Sequence, residues 1–334
     1  KEKKILYQLI FSAFLLFSNA YLVKANSDIL SQDSTGKYCI NTEQDYYNFI
    51  ENIQNYNNKT VILCNDIDIS DVPEATSSFG GILNGKGHTI TYASKEAKEN
   101  IAVFPFRIND NGIVENINVQ IDESYAYNSE TDEFQTVFSQ CDGIAKGITI
   151  KGNVTCIYDD EDENVSIGAI EGNGTLMDSS IAITYDLQSE KTIEEIAEDI
   201  VENDLEFEFC QLGTTYTGIT YQNCIGYGQY SEAIKSLADE LEPKIEDDTW
   251  GYLCVSFTRK SFSSTSASAT NCYYDKENMP DIKIRSEYIA NRDNNKEFPN
   301  YADFGKTTSE MKNQGTYEGF DFNKKWTISP EDNN

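Results

Sequence analysis

Three stretches of this chain share one design. "NGIVENINVQI" (111–121), "DGIAKGITI" (142–150) and "GTLMDSSIAI" (174–183) each start on a glycine turn, pass a small or polar residue and end in an I-x-[VI] strand. Anchored on Ile117, Ile148 and Ile181, they recur at intervals of 31 and 33 residues. One such unit cannot bury its own apolar face, so recurrence every roughly 20–50 residues predicts stacked units, a solenoid. "TYQNCIGYG" (220–228) and "SATNCYYD" (268–275) share an Asn-Cys pattern and are weaker members. From Phe79 the chain reads as short strands punctuated by Gly, Asn and Asp, and its 21 tyrosines suit a β-rich, turn-rich protein.

Helical signals interrupt this rhythm twice. Thr42-Glu43-Gln44-Asp45 offers an N-cap and first-turn acids, and Tyr46, Phe49, Ile50 and Ile53 follow at helical spacing. Next, "KTVILCNDIDIS" alternates Ile67 and Ile69 with Asp66 and Asp68, a strand pattern. Between 191 and 243, Thr192-x-x-Glu195 forms a capping box ahead of Ile193, Ile196, Ala197, Ile200 and Val201. A second stripe after Ser231 (Ala233, Ile234, Leu237, Ala238, Leu241) stops at Pro243. This region reads as a helical insert on the flank or end of the β-body, or as a separate small domain.

The ends and the charge bound the class. Lys1, Lys3 and Lys4 precede the apolar run Ile5 to Phe17, and Val23-Lys24-Ala25 suits cleavage after Ala25. Residues 1–25 are expected to be a signal peptide, leaving no transmembrane span in the mature chain, because the run is short for a ~20-residue crossing. Those residues hold four lysines and one glutamate, so their removal takes the net charge from −30 to −33. Such a chain is repelled by nucleic acid and by anionic lipid. The expected location is secreted or at the extracellular cell surface.

Eight cysteines follow: Cys39, Cys64, Cys141, Cys156, Cys210, Cys224, Cys254 and Cys272. No C-x-x-C occurs and there is one histidine, which argues against zinc. An even count behind a signal peptide reads as disulfides, expected between sequence neighbours (39–64, 141–156, 210–224, 254–272), with reduced buried thiols as the alternative. Candidate N-glycosylation sequons stand at Asn58, Asn153, Asn164 and Asn173.

The order "DIDIS…FGGILNGKGHTITY…IAVFPFRINDNGIVENINV" resembles GLUG-motif proteins, surface-exposed right-handed β-helices of filamentous haemagglutinin type. The closing stretch "NCYYDKENMP…GKTTSEMKNQGTYEGFDFNKKWTIS" is similar to the end of such proteins, and "NTEQDYYNFI" looks like their capping helix. The resemblance covers roughly residues 38–183 and 268–328, while the cysteines and the helical insert depart from it. It implies an all-β, right-handed parallel β-helix with an N-terminal capping helix. The expected organisation is a signal peptide (1–25), an N-terminal cap (26–60), β-helix coils (61–190), a helical insert (191–243), and C-terminal coils with a closing segment (244–334).

Several local patterns suggest chemistry. "GGILNGKGHTI" fits G-x-x-x-x-G-K through Gly80, Gly85 and Lys86, but Gly87 replaces the magnesium-binding Ser or Thr and strand-like residues replace the helix. His88, the only histidine, reads as a turn-flanking residue with no placed partner. Asp66 and Asp68 share one strand face, as clustered acids do in polysaccharide-cleaving β-helices. "DDEDEN" matches a calcium loop at Asp160, Asp162, Asn164 and Glu171, yet Val165 occupies the sharp-turn glycine position. No catalytic residue, resident metal or cofactor is therefore expected beyond weak calcium binding. The reading is an adhesion or interaction module for an extracellular glycan or protein. The alternative is an extracellular polysaccharide lyase or glycoside hydrolase on the same fold.

Overall fold

A computed structural model describes residues 30–70, 72–73, 75, 77–93, 102–126, 134–158, 164–213, 218–258, 267–293, 298 and 301–328. The chain is mostly β, and successive passes lie beside one another in parallel register. Among the described residues one sheet has fifteen strands, ordered from Tyr38–Ile40 through Thr60–Leu63, Ile82–Asn84, Ile113–Ala126, Ile144–Ile157, Ser180–Gln188, Ile225–Gly226 and Tyr273–Asp275 to Gly305–Lys306. A second sheet has six: Phe104–Ile108, Phe134–Cys141, Val165–Ile170, Glu206–Cys210, Tyr252–Ser256 and, antiparallel at its edge, Ile282–Ile284. Between visits to the first sheet the chain crosses to the second, so both grow in the same order.

The repeat is set by backbone approach. Gly81, Gly112, Gly143 and Gly174 form one column, and each following amide donates to the glycine carbonyl one layer earlier: Ile113 to Gly81 (2.9 Å), Ile144 to Gly112 (3.0 Å), Thr175 to Gly143 (2.9 Å). A Cβ on Gly143 or Gly174 would collide with the preceding glycine's carbonyl oxygen. At the following corner, Asn116, Gly147, Asp178, Asn223 and Asn271 all take φ of 50–63°. This left-handed region is open to Gly and cheapest for Asn and Asp among the rest. The side chains also link layers: Asn223 Nδ2 donates to Asp178 Oδ1 (3.0 Å) and Asn271 Nδ2 to Asn223 Oδ1 (3.3 Å).

Register corrects one anchor of the repeat. Ile117 pairs with Ile148, but Ile181 pairs with Ile150, and Ser179 follows Asp178 at the corner. The interval is thus 31 residues throughout these layers, since Ile113, Ile144 and Thr175 align as well. A slip of two residues keeps the same face inward, so the apolar pattern could not reveal it. The weaker members at 220–228 and 268–275 do stack, with Thr220 opposite Ser268 and Ile225 opposite Tyr273.

Inward columns make the core. Val61, Leu83, Val114, Ala145, Leu176 and Tyr221 stand in one, and Ile67, Ile90, Val119, Ile150 and Ile181 in another, all buried. The second sheet contributes rings, with Phe104 stacked on Phe138 at 4.7 Å. The helix anticipated after Thr42 forms at Glu43–Glu51 with its capping box. It closes the first layer: Phe49 meets Phe79 and Phe106 edge-on (5.4 and 5.8 Å), and Tyr46 Oη donates to the Val103 carbonyl (2.6 Å).

Region 191–243 is not a helical insert. Helices Ile193–Glu202 and Glu232–Leu241 form behind their Thr192 and Ser231 caps and pack on each other. Between them, however, Glu206–Cys210 joins the second sheet, while Thr220–Gln222, Ile225–Gly226 and Gln229–Tyr230 join the first. Each helix is therefore a lengthened connection within a layer. Thr175 pairs with Thr220, 45 residues on, and Thr220 with Ser268, 48 residues on.

The cysteine pairing is also corrected. Cys39 and Cys64 are joined, their Cα atoms 5.9 Å apart. Cys141, Cys156, Cys210, Cys224, Cys254 and Cys272 are buried thiols, so 141–156, 210–224 and 254–272 do not form. Stacking brings together residues one layer apart rather than sequence neighbours. Cys224 and Cys272 accordingly sit beside each other ahead of the Ile225–Tyr273 pair, their thiols hydrogen-bonded. Among the described residues no helix is long and apolar enough to cross a membrane.

Candidate binding face

Alternation in the first sheet sends one side chain of every pair outward. Over four layers those positions hold Thr89, Asn118, Thr149 and Ser180 in one column and Thr91, Gln120, Lys151 and Ala182 in the next. Asn153 and Thr184 extend the following column. Threonine suits both roles, being β-branched for the strand and hydroxylated for solvent. Layers lie ~4.8 Å apart and outward residues about 6.7 Å apart along a strand, so hydroxyls and amides form a regular, nearly flat grid. Gln120, Lys151 and Asn153 are exposed, and Thr89, Thr91, Asn118, Thr149 and Ser180 are half-buried among neighbours.

The grid ends where the columns turn apolar. Ile225 and Tyr273 continue the Thr89 column and are buried. The C-terminal segment covers them with Met311, Tyr317 and Phe320, backed by Phe322 and Trp326. Tyr273 meets Tyr317 edge-on at 5.5 Å, Tyr227 and Tyr317 hydroxyls lie 3.1 Å apart, and Lys325 Nζ reaches Asp178 Oδ2 (2.7 Å). Thr307 and Glu310 cap the short helix that starts this cover, and Thr308 Oγ1 donates to the Asp275 carboxylate (2.8 Å).

At the opposite edge stands a pair that the sequence did not bring together. His88 Nδ1 lies 3.0 Å from Asp66 Oδ1, which also accepts the Thr89 amide (2.9 Å). The Thr89 amide first, and His88 second, hold the Asp66 carboxyl below its ordinary value. His88 does flank a turn, its amide donating to the Gly85 carbonyl (2.8 Å). Asp68 points outward opposite Thr91 and is exposed. The G-x-x-x-x-G-K match is this same turn: Lys86 and Gly87 take φ of 52° and 83°, and the strand Thr89–Ala93 follows where a phosphate loop needs a helix.

Other candidates scatter. Asp160 and Asp162 lie outside the described residues, as does the expected signal peptide. Asn164 Oδ1 accepts the Glu206 amide (2.7 Å), and Glu171 is half-buried, its carboxyl raised by burial and then by Asp142. Among the described residues no three His, Cys, Asp or Glu side chains could jointly hold a metal ion. Of the sequons, Asn58, Asn153 and Asn173 are exposed and Asn164 is half-buried. A buried polar group escaped the sequence reading altogether: Tyr252 Oη lies 2.7 Å from Glu208 Oε1 and 3.0 Å from Glu206 Oε2. Alternation in "EFEFC" was the available signal, marking a strand with both glutamates on one face.

No protein-family model, curated protein or solved structure matches the chain.

Proposed function

We propose that this protein is a right-handed parallel β-helix of the GLUG-motif kind, secreted or displayed at the cell surface. It acts as an adhesion or interaction module that binds an extracellular glycan or protein across the open polar face. The observation that carries this reading is the four-layer grid of Thr, Asn, Gln, Ser and Lys, left uncovered where the C-terminal segment stops. Repeated donors and acceptors at fixed spacing match a ligand with repeated polar groups, and the binding needs no concave reactive site. Fold alone leaves the ligand open, so the argument rests on this face.

The test is to screen the full chain on a glycan array and on immobilised extracellular matrix proteins, beside a variant carrying Thr91→Arg, Gln120→Arg and Thr149→Arg. A ligand retained by the wild type and lost by the variant, at unchanged melting temperature, supports the reading. A ligand held equally by both refutes it. The second reading, a polysaccharide lyase or hydrolase, draws on the Asp66–His88 contact at 3.0 Å. Cleavage of any glycan in a panel, abolished by Asp66→Asn or Asp68→Asn, would favour it.

A further inference from the structure

Trp250 and Tyr288 stand together on the side of the second sheet, their ring centroids 4.6 Å apart and inclined at 51°. They are 46% and 49% exposed, in a chain whose other large rings are mostly buried. Trp250 precedes the strand Tyr252–Ser256, and Tyr288 lies in the helix Glu287–Asp293 that follows the edge strand.

Both rings are held by their surroundings. Ser286 Oγ donates to the Thr249 carbonyl (2.6 Å), tying the two segments beside the rings. Ile289 is buried against Tyr252 and Cys254. On the other flank the Glu246 amide donates to Thr249 Oγ1 (2.9 Å) and the Thr249 amide to the Glu246 carbonyl (3.2 Å). The pair is thus positioned before any partner arrives, which lowers the ordering cost of binding.

Charge selects the partner. Glu242, Glu246, Asp247 and Asp248 are exposed within nine residues of sequence ending at Trp250, and Glu287 is exposed next to Tyr288. Lys244, the lysine of that stretch, already lies 3.5 Å from both Glu198 and Glu240, and Arg285 is half-buried and engaged. Aromatic faces and carboxylates attract the same ligand, a cation, and together they disfavour acidic partners. A neutral sugar would stack on the rings but gain little from the carboxylates.

We propose that Trp250 and Tyr288 form a docking platform for a cationic peptide segment of a partner protein. One arginine or lysine lies over the rings while its neighbours pair with Glu246, Asp247 and Asp248. This surface is separate from the polar grid and stands or falls independently of it.

The experiment titrates the full chain into a labelled peptide of alternating Arg and Ser, followed by fluorescence anisotropy, with a Glu-Ser peptide and a neutral oligosaccharide as controls. Saturable binding of the arginine peptide is expected, weakened about tenfold by Trp250→Ala or Tyr288→Ala. Asp247→Asn with Asp248→Asn should weaken it comparably, whereas Tyr288→Phe, which keeps the ring, and Tyr227→Ala, on the other sheet, should not. Circular dichroism checks each fold; should Trp250→Ala not fold, Tyr288→Ala against Tyr288→Phe decides. The proposal is overturned by no saturable binding, by ring variants that bind like wild type, or by tighter binding of the oligosaccharide.

Discussion

Replacing Gly143 with alanine tests whether the glycine column sets the layer spacing. A Cβ built there falls inside contact distance of the Gly112 and Asn109 carbonyl oxygens and 2.9 Å from Ile108 Cγ2. Two of these obstacles are backbone in the preceding layer, so no side-chain rotation relieves them. Overpacking of this kind costs typically 1–3 kcal/mol, and fixed backbone puts the site at the upper end. Alanine also restricts the unfolded chain, which returns ~0.4–1 kcal/mol. The net loss is about 2 kcal/mol, measured by urea unfolding followed by far-ultraviolet circular dichroism, with the urea dependence unchanged. Gly87→Ala is the matched control: its φ is +83° with nothing within 4 Å of the added Cβ, so its cost is the left-handed backbone alone, about 1 kcal/mol. A Gly143→Ala chain as stable as wild type, or less affected than Gly87→Ala, would refute the close-approach argument.

Two further outcomes follow from burial. Glu171 has its folded carboxyl raised above its unfolded value, so its ionisation opposes folding at neutral pH, and that penalty is relieved as pH falls through the folded value. Glu171→Gln should therefore raise the melting temperature at pH 7 and leave it unchanged near pH 3; a gain that persists at low pH contradicts the assignment. Burial, and then Asp142, pushes the Cys141 thiol up to about 12, and the other five thiols are buried too. Alkylation followed by mass spectrometry should modify none of the six in the native chain, six after unfolding without reductant, and all eight after reduction. Fewer than six without reductant would mean additional disulfides.

Local patterns carried much of this architecture. The glycine turns at 112, 143 and 174, the capping residues Thr42, Thr192 and Ser231, and the Ile67/Ile69 alternation are decided within a few residues, where caps, φ requirements and side-chain period act. All of them form as the sequence implies. Tertiary structure decided what depends on register between layers 22 to 48 residues apart. It placed Ser179, not Ile181, after the shared corner, returned 206–230 to both sheets, and stacked Cys224 on Cys272 in place of three neighbour pairings. It also brought His88 to Asp66 and laid the closing aromatics over Ile225 and Tyr273. The reason is geometric: a residue's own sequence selects turn, strand and face, but which residue stands one layer away depends on the length of every connection between them, and side-chain alternation leaves even slips unmarked.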